Sequence, residues 1–215
     1  MKIMIAIPCY ENPARDFVQC LLNLEKVDQT DIVFHGSSLI YDARNQLALK
    51  AIKEEYDYVL WLDADMIFKP TILKDLLATG KELVSGMCFS RRPPYRPCFF
   101  DKCNIEHLEL NEVKPVVHNY YKYPKNQLFE VEGFGLGCAL TTVEALKSVN
   151  DILGLPFSPM AGFGEDLSFC IKATSLGYQL FVDSRLKIGH LGSIVVNEDL
   201  YQLQQKSGRG AKDVQ

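Results

Sequence analysis

The chain has no long apolar run: no uninterrupted hydrophobic stretch is long enough to span a membrane. The opening Ile3-Met4-Ile5-Ala6-Ile7 is too short for the core of a secretory signal and stops at Pro8. Excess positive charge is missing as well. Lys and Arg number 23 against 27 Asp and Glu, a net charge of -4, so nucleic acid has no global footprint here, only local basic patches. The seven cysteines are odd in number and lack a repeating spacing, which predicts reduced thiols in a soluble, cytoplasmic protein. No internal repeat and no linker divides the 215 residues, so a single compact domain with a full core is expected. Pro8-Cys9-Tyr10-Glu11-Asn12 also lacks the Gly-rich phosphate loop that a sugar nucleotidyltransferase needs after its first strand.

What the chain does have is alternation. Strand-like runs at Ile3 to Ile7, Ile32 to Phe34, Tyr58 to Leu62 and Leu83 to Phe89 are separated by helical patterns at about Ala14 to Leu24, Tyr41 to Glu54 and Pro70 to Ala78. Such alternation predicts an α/β fold with a central, mostly parallel mixed sheet flanked by helices. Pro70 suits a first helical turn, where its missing N–H is no loss. From Arg91 to Gln127 the regularity is lost, and Arg91-Arg92-Pro93-Pro94-Tyr95-Arg96-Pro97 excludes a helix. A strand at Leu128 to Val131 leads to Gly133-Phe134-Gly135-Leu136-Gly137, which has the wrong spacing and position for a dinucleotide-binding turn. A last helix and strand are expected at Glu165 to Ser175 and Gln179 to Val182, and a flexible polar tail at 206–215.

Asp63-Ala64-Asp65 closes the apolar run Tyr58-Val59-Leu60-Trp61-Leu62. Residues i and i+2 of a strand point to the same side, so the two carboxylates are expected side by side where the strand empties into a loop, the place where ligands bind in open α/β sheets. Neighbouring carboxylates repel unless a cation sits between them, which suggests a divalent-metal site holding a phosphorylated ligand. The alternative is two surface acids. Gly162-Phe163-Gly164-Glu165-Asp166-Leu167 opens an amphipathic helix. Its acids either complement the helix dipole or bring a general base to a site. His190, between Gly189 and Leu191-Gly192, is either a structural hydrogen-bonder or a ligand to a Mn²⁺-like ion. Arg44, in Tyr41-Asp42-Ala43-Arg44-Asn45-Gln46, is either a solvated charge or a diphosphate contact.

In chain order, Ala43-Arg44-Asn45, Leu62-Asp63-Ala64-Asp65-Met66, Gly135-Leu136-Gly137-Cys138, Gly164-Glu165-Asp166 with Phe169-Cys170, and His190-Leu191-Gly192 resemble the glycosyltransferases of the GT-A fold. The likeness is in particular to the family 2-like enzymes of bacteria and their phages. It runs from Ile3 to about Gly192 and implies one GT-A, Rossmann-like domain over residues 1–205. The nucleotide-sugar half would reach to about residue 90, with the acceptor and catalytic half beyond it. The resemblance implies a nucleoside-diphosphate sugar donor, UDP-linked before GDP-linked, and Mn²⁺ or Mg²⁺. Pro8, Cys9, Tyr10, Glu11 and Arg44 would line the nucleotide pocket, with Ala64 and Gly137 beside them. Asp65 would bind the metal, Asp63 the ribose or a metal-bound water, and His190 would complete the metal shell. Asp166 would be the base of an inverting transfer, with Glu165 as understudy.

The acceptor would be a hydroxyl of a glycan, a small molecule or a modified base in phage DNA, chosen by the segment Arg91 to Gln127. There Arg91, Arg92, Arg96, Lys122 and Lys125 alternate with Tyr95, Tyr120, Tyr121 and Tyr123. Such a mixture grips single-stranded nucleic acid, stacks on sugars, or is simply a solvated loop. Cys98, Cys103, His107 and His118 match no standard zinc spacing. Two rivals remain. A haloacid-dehalogenase-like phosphohydrolase would use Asp63 as nucleophile and Asp65 as acid, but wants Thr or Val where Ile67 stands, and wants the motif on its first strand. A non-catalytic binder of nucleotide sugars would keep the metal site without a base. The residues specify neither the donor sugar nor the oligomeric state.

Overall fold

A computed structural model describes residues 1–27, 29–107, 113–192 and 195–206. The first half runs β1 (Ile3–Pro8), α1 (Arg15–Leu22), β2 (Thr30–His35), α2 (Ile40–Lys53), β3 (Tyr58–Leu62), β4 (Met66–Ile67), α3 (Ile72–Leu77) and β5 (Leu83–Met87). A second run of strands follows: β6 (Phe99–His107), β7 (Val113–Asn119), β8 (Leu128–Val131), β9 (Gly133–Phe134) and β10 (Cys138–Thr142). The chain then forms α4 (Val143–Leu153), α5 (Glu165–Ser175), β11 (Leu180–Lys187), β12 (Gly189–Leu191), β13 (Val195–Val196) and α6 (Glu198–Lys206).

Seven strands form the central sheet in the order β2-β1-β3-β10-β5-β11-β8. It is mixed and flanked by helices, as the alternation predicts. The antiparallel share is larger than expected: β10 pairs antiparallel with both β3 and β5, and β8 with β11, while β1–β2, β1–β3 and β5–β11 are parallel. The centre of the sheet is buried on both faces: every residue of β1 and β5 and nearly all of β3 and β10 are buried, while the edge strands β2 and β8 include exposed positions. In β1, Ile3, Ile5 and Ile7 join a core with Phe17, Leu21, Leu73 and Leu76, whereas Met4 and Ala6 join one with Leu47, Ala51, Leu146 and Phe169. That division follows from the two-residue period of a strand. It places α1 and α3 on one face and α2, α4 and α5 on the other.

Two parts of the expected layout are corrected. Arg91 to Gln127 contains the long hairpin β6–β7. Its pattern is illegible because β7 is an edge strand with mostly exposed side chains, so no alternation marks it, and edge strands tolerate a proline such as Pro115. Pro70 does not open α3. It lies ahead of Thr71, the residue before Ile72, and its carbonyl accepts from the Glu25 N–H at 2.8 Å. The expected tail lies, from residue 207 on, outside the described residues. No helix among the described residues is long and apolar enough to cross a membrane.

Candidate active site

The carboxyl ends of β1, β3 and β5 share one edge of the sheet, and the loops leaving them build a cleft. After β1, the Cys9 N–H donates to the His35 carbonyl and the Ala14 N–H to the Ala64 carbonyl, each at 3.0 Å. This ties the Pro8–Asn12 loop to the aspartate pair. The aspartates are not on extended strand. β3 ends at Leu62, and the Met66 N–H closes a turn onto the Asp63 carbonyl at 3.1 Å. The carboxylates are therefore placed by a turn rather than by strand alternation, and each meets its own cation. The Asp63 N–H donates to the Gly137 carbonyl at 3.0 Å, and a Cβ on Gly137 would come within 2.5 Å of Met66 Cε. A side chain there would push the end of Met66 aside.

Asp63 Oδ1 accepts from Arg44 Nη2 at 2.8 Å, and Arg44 Nε lies 3.4 Å from Glu165 Oε1. Arg44 is 2% exposed and sits 5.8 Å over the ring of Trp61. Burial works against its charge, but the carboxylates of Asp63, Glu165 and Asp166 outweigh burial and raise its pKa further. Arg44 does not line the cavity of Pro8–Glu11. It lies beneath the turn and joins Asp63 to the start of α5 through Nη2 and Nε, while its buried Nη1 has no hydrogen-bond partner among the described residues and its side chain lines the cavity of Asp166. Its neighbour Asn45 accepts the Phe157 N–H at 2.9 Å, and Lys172 Nζ donates to the carbonyls of Leu155, Pro156 and Ser158. Together they pin the loop ahead of α5.

Asp65 faces the cleft. Leu191 N–H donates to its backbone carbonyl at 2.8 Å, continuing the pairing of His190 with Met66, and so brings β12 to the turn. His190 Nδ1 lies 2.9 Å from the Phe89 carbonyl, to which it must donate, and Nε2 is 3.4 Å from Asp65 Oδ2. A neutral ring would then aim a lone pair at a carboxylate, which calls for a proton or a metal between them. Burial disfavours the proton, but the Asp65 hydrogen bond, the Phe89 carbonyl and the charges of Asp65 and Asp63 prevail, and the His190 pKa rises. Burial likewise pushes Asp65 up, yet His190 and then Arg91 hold its carboxyl below the usual value. The pair thus suits a divalent cation with one nitrogen and one oxygen donor. Among the described residues no three such side chains converge on one point, and Asp63 is engaged by Arg44.

Asp166 stands apart. Its Oδ1 accepts the Leu167 N–H at 2.8 Å, and a Cβ on Gly135 would sit 3.5 Å from Oδ2. Burial, then the charges of Glu165 and Asp63, push its carboxyl up to about 6 against the pull of the Leu167 N–H and Arg44. Two cavities meet here. The larger, about 660 Å³, is lined by Pro8, Cys9, Tyr10 and Glu11 together with Ala64, Asp65 and Arg91. The smaller, about 190 Å³, is lined by Arg44, Cys98, Gly135, Gly137, Glu165 and Asp166. Ile40, Asp63 and His190 line both.

Sequence reasoning named Arg91 only as one of a basic run and Cys98 only in a zinc set, and it missed Ile40. The available signal was position, since the loop of Arg91 leaves the carboxyl end of a sheet strand, where ligands gather. The aromatic rings of the basic and aromatic run are largely turned to the protein itself. Tyr123 is buried with its hydroxyl 2.9 Å from Glu198, Lys125 pairs with the same carboxylate, and Tyr95, Tyr120 and Tyr121 pack against the core. Of the zinc set, His118 pairs instead with Asp101 at 2.6 Å, and the His107 side chain lies outside the described residues.

Residues 37–106, which carry Arg44, the aspartate turn and Arg91, match the family model Anp1. A structure described as A197 from STIV superposes with a TM-score of 0.66 at 17% identity, over 93% of this chain and 91% of that one. GalNAc-T7 with UDP, GalNAc and Mn²⁺ superposes at 0.55 with 10% identity, over 89% of this chain but 44% of its own. The fold is that of the GT-A glycosyltransferases. This GT-A fold accounts for the cleft at the carboxyl ends of β1, β3 and β5.

Proposed function

We propose that this protein is a metal-dependent glycosyltransferase, family 2-like and of bacterial or phage type. It moves a sugar from a nucleoside diphosphate, UDP in the first instance, to a hydroxyl acceptor with inversion. The observation that carries the reading is Asp166, a carboxyl raised to about 6 in a small cavity that opens onto the cleft of Asp65 and His190. The Anp1 match, to a mannosyltransferase-like family, and the UDP, GalNAc and Mn²⁺ held by GalNAc-T7 support it. Seven unpaired cysteines agree with a cytoplasmic location.

In this reading Pro8 to Glu11 hold the nucleotide in the larger cavity, and the exposed Tyr10 offers a ring for the base. Asp65 Oδ2 and His190 Nε2 would hold Mn²⁺ or Mg²⁺, with Asp63 fixed behind them by Arg44. The chemistry such an ion supplies when bound is neutralisation of the departing diphosphate. Asp166 takes the proton of the acceptor hydroxyl as its oxygen bonds to the anomeric carbon and the bond to phosphate breaks. A carboxyl near 6 is ionised at neutral pH yet basic enough for that role. Gly135 keeps its Oδ2 open to the acceptor. Phosphohydrolase chemistry is disfavoured because the Asp63 carboxylate, the nucleophile it needs, is held by the buried Arg44, which draws charge from it.

The test is release of free nucleoside diphosphate from a panel of UDP-, GDP- and TDP-sugars with Mn²⁺, native protein against Asp65→Ala. Slow release from one donor, abolished by the substitution, is expected. A product with retained anomeric configuration would remove Asp166 from the role of base. Donor binding with neither hydrolysis nor transfer would make the protein a non-catalytic binder.

A further inference from the structure

The loop after β5 carries a second guanidinium into the cleft. Its neck is closed: Phe89 bridges Pro97, the Ser90 N–H donates to the Arg96 carbonyl at 2.8 Å, and the Arg96 N–H returns to Ser90 Oγ at 3.1 Å. Phe89, at the root, is fully buried and stacked on Tyr201 at 4.7 Å, and its carbonyl receives His190 Nδ1. Two residues on, Arg91 is half exposed and places Nη1 2.5 Å from Asp65 Oδ2, the oxygen that His190 Nε2 faces at 3.4 Å. One short segment thus holds His190 through its backbone and Asp65 through its side chain.

A guanidinium keeps its charge at any working pH, so it cannot vacate the carboxylate by losing a proton. A divalent cation arriving at Asp65 Oδ2 competes with it, because cations crowded on one carboxylate oxygen repel each other and each weakens the other's hold. The root of the loop is fixed, but the Arg91 side chain is long and half in water. Freed from Asp65, it stays in the cavity lined by Pro8 to Asn12, where its planar fork matches phosphate oxygens.

We infer that Arg91 is a resident cation on Asp65, which a divalent metal displaces and which then moves to the diphosphate of the donor. The inference rests on the nucleotide-sugar reading above. Its consequence is cooperativity: the metal alone binds against Arg91, whereas nucleotide removes the competitor, so each ligand tightens the other by the same factor.

The experiment is calorimetric titration of native protein, Arg91→Gln and Arg91→Lys with MnCl₂ alone, and with UDP or GDP both without metal and in saturating Mn²⁺, with circular dichroism to show that the variants fold. Arg91→Gln should bind Mn²⁺ alone about fivefold more tightly, the scale of a half-exposed ion pair. It should bind the nucleoside diphosphate about tenfold more weakly, having lost a charge-assisted contact. Arg91→Lys should fall between. Mn²⁺ binding to Arg91→Gln that is no tighter than native overturns the inference, as does unchanged nucleotide affinity. Nucleotide binding by native protein that ignores Mn²⁺ also overturns it, by making Arg91 a permanent substitute for the metal. If native protein and variants alike bind neither Mn²⁺ nor nucleotide, the nucleotide-sugar reading falls as well; equal binding by all three removes only the role of Arg91.

Discussion

The site holds two acidic pairs, Asp63 with Asp65 and Glu165 with Asp166, and their surroundings differ. In the first pair each carboxylate has a cation of its own, Arg44 on Asp63 and Arg91 on Asp65. In the second only Glu165 reaches one, through the same Arg44, while Asp166 has a backbone N–H and no ion pair among the described residues. The difference separates two kinds of work. A carboxylate held by cations is a place where cations and their ligands are exchanged, and Asp65 is accordingly held below its usual pKa by His190 and Arg91. A carboxylate crowded by negative charge and burial, and left without a cation, takes a proton readily and can hand it on.

The most damaging way to break this contrast is Asp166→Asn. Transfer should fall by about 10²- to 10⁴-fold, the range for loss of a general base, with Mn²⁺ and nucleotide binding retained. Steady-state rates and calorimetry on the same preparation check both halves. In native protein the rate should rise with pH through an inflection near 6, as Asp166 ionises.

Removing the cation common to both pairs tests the other side. Arg44→Leu leaves the part-buried carboxylates of Asp63 and Glu165 without it and should cost about 1–3 kcal/mol of stability. Arg91→Gln, at the exposed pair, should cost less than about 1 kcal/mol. Urea unfolding of the two variants side by side checks the difference, with Trp61 as a buried reporter beneath Arg44.

A smaller effect sharpens the contrast through pH. The folded protein holds the Asp166 proton up to about 6, whereas the unfolded chain releases it near the ordinary value of 3.8. Between those values the unfolded state binds fewer protons, so stability falls as pH rises through the window and is level above it, by on the order of 2 kcal/mol. In Asp166→Asn that decline should be absent from unfolding curves taken at pH 4, 5, 6 and 7.

The parts of this arrangement that were readable in the sequence are those set by local pattern. β3 could be bounded at Tyr58 and Leu62 and α5 at Glu165 and Ser175, because apolar runs and first-turn acids mark them. The partners were not readable. Nothing in Ala43-Arg44-Asn45 says that Arg44 turns inward, since that depends on where α5 docks. β10 and α4 were missed altogether, although the Thr142 side chain caps α4 by accepting the Ala145 N–H at 3.3 Å. A strand inserted antiparallel between two parallel partners has no local signature, because its place is decided by pairing with β3 and β5.

The His190 side chain reaches the aspartate turn only because β12 pairs with β4 and Leu191 donates to Asp65. Without that docking the cleft keeps the wall built by the loops after β1, β3 and β5 but lacks its imidazole. Any ligand that bridges Asp65 and His190 fastens a late segment of the chain to an early one. Occupancy of the cleft then acts as a seal on the finished fold, protecting from opening the very strand whose docking made the cleft complete.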